Sequence, residues 1–508
     1  MAISGRLRAD VRRFPSGCSG LLEVDRVEAR GVEGRTELQL PECPAPLLQG
    51  WRVQATGVLR RPLPAVHPLL PGSAERLARQ GSWSQLRAES IEVLQRPWTP
   101  LADLRRDVAQ RLQQAVGPRR GGFLAALVLG SAQVQLPEDI RAAFRMAGLS
   151  HALAASGFHL SVLLGSVLML ARRWPPGLRL PLAATALLLF LCLAGAQPSV
   201  VRAVLMAAMA LLIREAGHHS RPVGVLLLTL SGMLLLRPAW ALSIGFQLSA
   251  AATAGLILTA PRLEKAVQAW LPDRCQGLAA ALSIPVAALL WTLPLQLLHF
   301  GAMPLYALVA NLLVAPLLAP LTLLAMLSAL LVLVGPTAVL PLLLWPVHQL
   351  AGLVITMASW ISHWPGAQLL TGRPQEWVIA LFVLGLLPWL LGAGPCRRCW
   401  SLIPLAIALF AHGLLQFSDG LVAVERFGRH WLLARHRGRA ALVSTHGDAR
   451  SCRMAKRLAA VHGHARLDWV MLLDPVATDV QACWQVLAHR VEAPQQVQAP
   501  IAIGQVLR

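Results

Sequence analysis

Charged side chains are scarce in this 508-residue chain, at 14% of its residues, whereas soluble globular proteins carry about 25%. The deficit lies in the middle. Residues 121–416 hold 21 charged side chains, against 31 in residues 1–120 and 19 in residues 417–508. No Asp, Glu, Lys or Arg occurs from Cys275 to Gly372. A single soluble domain is therefore excluded, and two soluble-looking ends flank a membrane-embedded middle.

Lysine and cysteine are also rare. Lys265 and Lys456 are the only lysines, so the net charge of +21 comes from arginine. Such an excess indicates phosphate backbones or anionic head groups as partners, although codon bias alone gives the same usage. Eight cysteines are too few for a disulfide-stapled scaffold. Cys18 and Cys43 could form a disulfide if the first domain faces an oxidising compartment.

Metal-ligand spacing is missing as well. Cys396 and Cys399 form a C-x-x-C pair beside the membrane region, but no second Cys or His pair follows at metal spacing. We interpret this pair as structural and predict no metal site and no cofactor. No G-x-x-x-x-G-K-[ST] phosphate loop occurs either, so that any energy the protein needs has to come from a partner or an ion gradient.

The apolar runs predict a polytopic α-helical membrane protein with about ten spans. The predicted spans are residues 149–171, 178–196, 198–213, 222–236, 240–260, 277–300, 304–334, 338–363, 377–392 and 400–416. The stretch 304–334 contains Pro316 and Pro320, and we count it as one broken crossing, with a hairpin of two short helices as the alternative.

Arginine placement predicts the orientation. Basic residues follow the first, third, fifth and ninth spans, whereas the connections after the second, sixth and eighth hold none between the helices. Arg237 and Arg373 are the exceptions. Because basic loops stay cytoplasmic, both soluble ends are expected on the extracytoplasmic side of the inner membrane. The chain opens with polar residues, so we expect either an exporting segment upstream or the reverse orientation.

Short alternating strands punctuated by Gly and Pro fill residues 1–100 and predict an OB-like β-barrel. The predicted strands are Leu21 to Val27, Thr36 to Leu40, Arg52 to Leu59 and Gln85 to Leu94. Such barrels commonly bind single-stranded nucleic acid, although a structural barrel with its Trp side chains in the core is the alternative. Residues 101–148 are predicted to be amphipathic and interfacial, because Leu101, Leu104, Val108, Leu112 and Val116 form one apolar stripe.

Polar residues recur inside the predicted spans, where each is costly unless it faces protein or water. They are His151, Ser156 and His159 in G-L-S-H-A-L-A-A-S-G-F-H-L; Ser199 and Arg202 in Q-P-S-V-V-R-A; Gln247 and Ser249 in G-F-Q-L-S-A; and Asn311 in V-A-N-L-L-V-A-P. We predict Arg202 to be an intramembrane phosphate contact and the two histidines to face a pore or lock helices. The alternative is that these residues only bond helix to helix.

These motifs resemble those of the ComEC family, the inner-membrane DNA-uptake channel of natural competence. The residues that carry the resemblance are Gly148, His151, Ser156, Gly157 and His159; Pro198, Ser199, Arg202 and Ala203; Pro238, Leu242, Gly245, Phe246, Gln247, Leu248 and Ser249; and Leu293, Pro294, Asn311 and Pro316. The resemblance implies a channel for single-stranded DNA, with a DNA receptor and cytoplasmic DNA-translocation proteins as partners. An oligomer is left open.

Many members of that family end in a metallo-β-lactamase-like domain, and residues 417–508 resemble the beginning of one. We predict a hairpin from Trp431 to Leu433 and Ala440 to Ser444, a helix from Cys452 to Val461 and a buried strand from Leu467 to Leu473. The histidine-rich metal motif is missing, since L-D-P-V-A-T-D-V stands in its place. We therefore predict no nuclease activity.

Two other classes of function stay open. Ser156 with His159 or His151 would suit a membrane hydrolase, although the nucleophile elbow and a carboxylate to orient the histidine are missing. A small-solute or ion transporter is the third hypothesis, and the lack of a carboxylate within any predicted span argues against proton coupling.

Overall fold

The computed structural model describes residues 1–494 apart from 15–16, 29, 44–45, 71, 220, 337–338 and 393. It is mostly helical, with a sheet domain at the N-terminus. The strands are β1 Ala2–Leu7, β2 Arg12–Phe14, β3 Gly17–Val27, β4 Arg30–Leu40, β5 Arg52–Arg60, β6 Ser84–Gln95, β7 Ala302–Pro304, β8 Gln368–Leu370, β9 Gly420–Arg426, β10 Arg429–His436, β11 Arg439–Ser444, β12 Leu467–Leu472 and β13 Ala488–Glu492.

The helices alternate with short connections through the middle of the chain. They are α1 Ser73–Ala78, α2 Pro100–Val116, α3 Pro118–Leu129, α4 Glu138–Met146, α5 Ser150–Leu153, α6 Gly157–Leu170, α7 Pro176–Ala194, α8 Pro198–Glu215, α9 Pro222–Leu236, α10 Ile244–Leu258, α11 Ala260–Gln268, α12 Gly277–Phe300, α13 Ala307–Val334, α14 Leu340–Leu343, α15 Trp345–Ser362, α16 Glu376–Leu390, α17 Pro395–Phe417, α18 Ala449–Val461 and α19 Thr478–Leu487.

The N-terminal domain is a six-stranded sheet in the order β1-β5-β6-β4-β3-β2. Strand β1 also pairs with β3, so the pairings run from β1 through β5, β6, β4 and β3 and return to β1. Only the β4–β6 pair within this circuit is parallel. The four predicted strands are confirmed as β3, β4, β5 and β6. Strand β1 was not predicted, because Gly5 interrupts its short alternation of Ile3 and Leu7.

The aromatic side chains of this domain divide between core and surface. Trp51 packs against the core, whereas Trp83 and Trp98 are 75% and 85% exposed and Phe14 is exposed as well. The structure also joins Cys18 of β3 to Cys43, with their Cα atoms 5.8 Å apart. The alternative of a barrel with its Trp side chains in the core therefore fits Trp51 alone.

Among the described residues, four helices of at least 18 residues are apolar enough to cross a membrane: α7 from Gly177, α12, α13 and α17. A fifth crossing is counted if α10 and α11, which meet at a 45° bend, form one span. The apolar helices α9 and α16 have 15 residues each, short of the roughly 20 that a straight crossing needs. These helix lengths support four or five spans and do not confirm the predicted ten.

For residues 304–334, the prediction of a broken crossing is wrong, and so is the alternative of a helical hairpin. Helix α13 is one continuous helix of 28 residues. Pro316 and Pro320 lie inside it on exposed positions. On the buried side, Ala310, Val314 and Leu321 continue a stripe of small and branched side chains that packs against other helices. Proline is tolerated inside such a helix when neighbouring helices hold it in place.

The segment predicted to be interfacial, residues 101–148, buries many of its side chains against other helices, and its position relative to the membrane stays a prediction. In α2, Val108, Leu112 and Val116 are buried and Leu101 is exposed. All residues of α3 from Gly121 to Leu129 are buried, and α3 packs against α13 and α15. A helix face that contacts lipid and one that contacts other helices are both apolar. The sequence pattern therefore does not distinguish a helix on the membrane surface from one inside the bundle.

Two arginines off the stripe of α2 bond to the ends of other helices. Arg105 Nε donates to the carbonyl oxygen of Cys192 in the last turn of α7, at 3.2 Å. Arg111 Nη1 donates to the carbonyl of Val332 in the last turn of α13, at 3.1 Å. The last carbonyls of a helix lack partners within it and carry negative partial charge. These arginines therefore have a structural role.

The residues after α17 form a five-stranded sheet in the order β13-β12-β11-β10-β9, with α18 and α19 beside it. The predicted hairpin, helix and buried strand are confirmed as β10 and β11, α18, and β12. A second disulfide that the sequence did not predict joins Cys452 of α18 to Cys483 of α19. Asp448 caps α18 by accepting a hydrogen bond from the Ser451 amide at 2.9 Å.

Candidate functional site

The first predicted span is broken. Helix α5 ends at Leu153 and α6 begins at Gly157, so backbone carbonyls between them lose their helical partners. The structure supplies new donors: the Ser131 amide reaches the Leu153 carbonyl at 2.9 Å and Ser199 Oγ reaches the Ala155 carbonyl at 3.3 Å. Non-helical backbone at membrane depth is tolerated only where protein or water satisfies it in this way. Ser199 thus supports the break itself.

The start of α6 is left without a side-chain cap. Ser156 has the extended backbone of an N-cap residue (φ −138°, ψ 172°), yet its hydroxyl makes no capping bond. Instead Ser156 Oγ is hydrogen-bonded to His159 Nδ1 at 3.1 Å. His159 is 1% exposed, and its Nε2 has no hydrogen-bond partner among the described residues. The positive end of the helix and a buried ring nitrogen are therefore both available to a ligand.

Arg202 of α8 lies beside this helix start. A Cβ added at Gly157 would be 3.6 Å from Arg202 Nη2, an ordinary van der Waals distance, so the guanidinium lies against the start of α6. Arg202 Nε donates to Ser249 Oγ of α10 at 2.8 Å, and Nη1 donates to the sulfur of Met206 at 3.4 Å. The residue is only 8% exposed.

Arg202 has no acidic partner among the described residues. None of the ion pairs in the described part of the chain includes it. A buried cation held only by a hydroxyl and a thioether is costly, since burial removes its hydration and supplies no opposite charge. Arg202, Gly157, Ser156 and His159 together form what we call the Arg202 cluster, and its electrostatics suit an anion.

A second polar contact lies at the start of α10. Gln247 Nε2 donates to the carbonyl of Ala241 at 2.8 Å, and Gln247 Oε1 is 2.7 Å from His299 Nε2 in the last turn of α12. His299 was not predicted as a site residue. The signal for it was present, because a lone histidine ends a span that is otherwise uncharged.

These contacts place the predicted site residues at one end of the helices. Ser199 and Arg202 are in the first two turns of α8, Ser249 is in the second turn of α10, and His299 is in the last turn of α12. Gly148 contacts the first residue of α13, where an added Cβ would be 2.6 Å from Ala307 Cβ. The sequence suggested sites spread along a path through the spans. The structure instead places most of these residues near one end of their helices.

Several predicted residues do not join the Arg202 cluster. His151 of α5 has an exposed side chain, although it lies close enough to His159 to interact with it electrostatically. Asn311 Nδ2 donates to the carbonyl of Ala307 within its own helix, at 2.7 Å. Pro198 is the first residue of α8. In α10, Gly245 is exposed and Phe246 is buried. Pro316 is exposed within α13.

No group of three His, Cys, Asp or Glu that could hold a metal ion is found within the described residues. The prediction that this chain holds no metal and no cofactor stays a prediction.

Comparison with known proteins identifies the family. A family model described as "Competence protein" matches residues 127–395, from the end of α3 to the start of α17. ComE operon protein 3 of Bacillus subtilis (strain 168) is 27% identical over 277 residues, which are 53% of this chain and 34% of that protein. An uncharacterized protein, YcaI, of Escherichia coli (strain K12) is 26% identical over 333 residues, which are 60% of this chain and 42% of that protein.

The chain thus covers well under half the length of these two relatives. No solved structure matches it significantly. The family match covers more than half of the chain and contains the whole Arg202 cluster, together with Gln247 and His299. Together with the apolar helices, it makes this a membrane protein that belongs to the competence protein family, the ComEC family.

Proposed function

We propose that this protein is a channel that carries single-stranded DNA across the cytoplasmic membrane during natural transformation. The observation that supports this most directly is Arg202, a nearly buried cation to which the described part of the chain supplies no acidic partner. It lies beside the uncapped start of α6, which is itself an electropositive helix end. Broken helices whose N-termini face an anion are a recurring way of receiving charged substrates inside a membrane.

A conduit for a polymer has to bind each phosphate weakly, because tight binding at many points would stop the strand. The Arg202 cluster has one guanidinium, one helix start and one unpartnered ring nitrogen. Single-stranded DNA carries about one charge per nucleotide, so successive phosphates can occupy the cluster in turn. A dense arginine site would hold the strand too firmly.

We assign the N-terminal domain an OB-like barrel fold and a role in contacting the incoming strand. The circuit of strand pairings that returns to β1, with a single parallel pair between β4 and β6, supports that fold. The exposed Trp83 and Trp98 support base stacking, since stacking of a base on an aromatic side chain contributes about 1–3 kcal/mol whatever the base.

The proposed topology has about ten spans, with both soluble ends outside the cytoplasmic membrane. Arginine placement supports it, and so do the disulfides of the two ends, Cys18–Cys43 and Cys452–Cys483, because disulfides persist in oxidising compartments. The residues after 417 are proposed to be a metallo-β-lactamase-like domain without nuclease activity. A DNA receptor and a cytoplasmic DNA-translocation motor are the proposed partners, and an oligomer fits the same function.

A membrane hydrolase is the second candidate, and the Ser156–His159 hydrogen bond at 3.1 Å is what favours it. We expect a Ser156→Ala variant to keep DNA uptake within about fivefold of the wild type, because a local hydrogen bond of this kind contributes about 1 kcal/mol. Loss of a true nucleophile costs a factor of a thousand or more. Labelled-DNA uptake in cells that produce each variant at equal level distinguishes the two functions.

The function itself is tested by deletion and complementation. Cells that lack this protein are expected to bind labelled double-stranded DNA at their surface and to accumulate no DNase-resistant strand. The wild-type gene is expected to restore that strand. Normal accumulation in the deleted strain would contradict the channel proposal.

A further inference from the structure

A row of basic side chains lies on one face of α18. Arg450, Arg453, Lys456 and Arg457 are all exposed, and at 100° per residue they cover an arc of about 120° around the helix. We call these four residues the α18 stripe. No ion pair in the described part of the chain includes any of them, and α18 itself contains no acidic residue. The stripe is therefore free to take an anionic partner.

The opposite face of α18 is fixed to its domain. Cys452, Ala455 and Leu458 are fully buried, and the Cys452–Cys483 disulfide ties this helix to α19. The basic side chains are thus presented from a rigid support. Such a support lowers the ordering cost of binding an extended polyanion.

The C-terminal end of α18 meets the loop that follows β8. The Arg373 amide donates to the carbonyl of Val461, the last residue of α18, at 2.9 Å. Close approach continues at two glycines: a Cβ added at Gly372 would lie 3.0 Å from the Gly463 nitrogen. The stripe consequently ends beside the membrane helices.

Hydrogen bonds then lead from this loop to the Arg202 cluster. The Arg373 guanidinium donates to the carbonyl of His299. The His299 ring bonds to Gln247 at 2.7 Å, and Ser249, half a turn further along α10, accepts from Arg202 at 2.8 Å. The C-terminal end of α18 and the Arg202 cluster are therefore linked through Arg373, His299 and the first turns of α10.

We propose that the α18 stripe is a binding surface for the phosphate backbone of single-stranded DNA and guides the strand toward the Arg202 cluster. This inference rests on the channel function proposed above. It gives the C-terminal domain a role in binding DNA that needs no metal and no bond cleavage. The stripe can contact three phosphates of one strand, because Arg450, Arg453 and Arg457 lie within about 60° of one another and span about 10 Å along the helix.

The test uses the full chain in nanodiscs of zwitterionic phosphatidylcholine, with a fluorescent oligodeoxythymidylate as the probe. The variant combines Arg450→Gln, Arg453→Gln and Arg457→Gln. A matched control combines Arg437→Gln, Arg439→Gln and Arg490→Gln, three exposed arginines of the same domain that lie off α18. Each set removes the same charge.

We expect the stripe variant to bind the oligonucleotide about tenfold more weakly than the wild type, with the control unchanged. The slope of log Kd against log salt is expected to fall by about 2, since each lost phosphate contact on a single strand contributes about 0.7. Equal affinity and an equal slope in the stripe variant, while the wild type binds, would overturn the proposal and leave the channel function standing.

Two further outcomes are distinguished by the same preparation. If anionic phosphatidylglycerol in the nanodisc protects α18 from amide hydrogen exchange while DNA affinity is the same in both variants, the stripe binds lipid and the proposal is wrong. If the wild type binds no oligonucleotide at all and its deletion leaves uptake normal, the channel function itself has failed.

Discussion

An Arg202→Gln variant is expected to lower the accumulation of internalised DNA by about 10- to 100-fold, with surface binding of DNA unchanged. Glutamine keeps a donor near Ser249 Oγ but removes the charge that the cluster offers to a phosphate. Charge-assisted hydrogen bonds contribute about 1.5–3 kcal/mol, which corresponds to the expected loss. The measurement is DNase-resistant label per cell at equal protein level.

Arg214→Gln is the matched control for that experiment. Arg214 is on the same helix, α8, but is exposed at its other end. Its replacement is expected to change uptake by less than twofold. An Arg202→Lys variant, which keeps the charge and loses the planar fork, is expected to be intermediate. Uptake by Arg202→Gln equal to that of the control would show that Arg202 only packs helices.

A Gly148→Ala variant is expected to destabilise the protein by about 2–4 kcal/mol. Gly148 has a φ of +76°, a left-handed conformation that costs an alanine about 1–2 kcal/mol. The added Cβ would also lie 2.6 Å from Ala307 Cβ at the start of α13, so the helix has to move away and lose packing. The midpoint of thermal unfolding in detergent measures the effect.

Gly165→Ala on α6 serves as the comparison for Gly148. Nothing lies within 4 Å of the Cβ that this substitution adds, and its backbone is helical. Alanine is the better helix former, so the unfolding midpoint is expected to stay or to rise slightly. Equal midpoints for the two variants would mean that the junction between Gly148 and α13 is looser than the structure has it.

The secondary structure of the two ends was readable from the sequence because alternation of apolar residues marks a half-buried strand. That pattern identified β3 to β6 and the β10–β11 hairpin. Strand β1 escaped, since Gly5 replaces a branched residue on its buried face. The apolar helices were equally clear in type, but their lengths were not, because lipid-facing and protein-facing positions are both apolar.

The continuity of α13 illustrates the same limit. Two prolines in one apolar run indicate a break by local rules. The face of α13 opposite the prolines packs against other helices and keeps the helix continuous. Local sequence rules do not predict such packing. The burial of α3 likewise depends on its packing against α13 and α15, which its own sequence does not predict.

For the candidate site, the sequence identified residue types but not their geometry. Intramembrane polarity singled out Ser156, His159 and Arg202, and the structure shows a side-chain hydrogen bond for each of them. The sequence did not show that Arg202 would approach Gly157, that Asn311 would turn to its own helix, or that His299 would join Gln247. The contacts of Arg202 and His299 join residues that lie 45 and 52 positions apart in the chain, so they depend on helix packing that local patterns do not reveal.

Direct contact between the strand and the start of α6 is the most immediate test of the central claim. Phe158 is exposed and its ring lies edge-on to His159, with centroids 5.6 Å apart, so a photo-crosslinking benzoylphenylalanine at this position samples the Arg202 cluster. We predict a covalent adduct with labelled single-stranded DNA during uptake, and none from the same group at the exposed Leu188 of α7. Adducts with lipid or protein alone at position 158, in cells that are taking up DNA, would contradict the account.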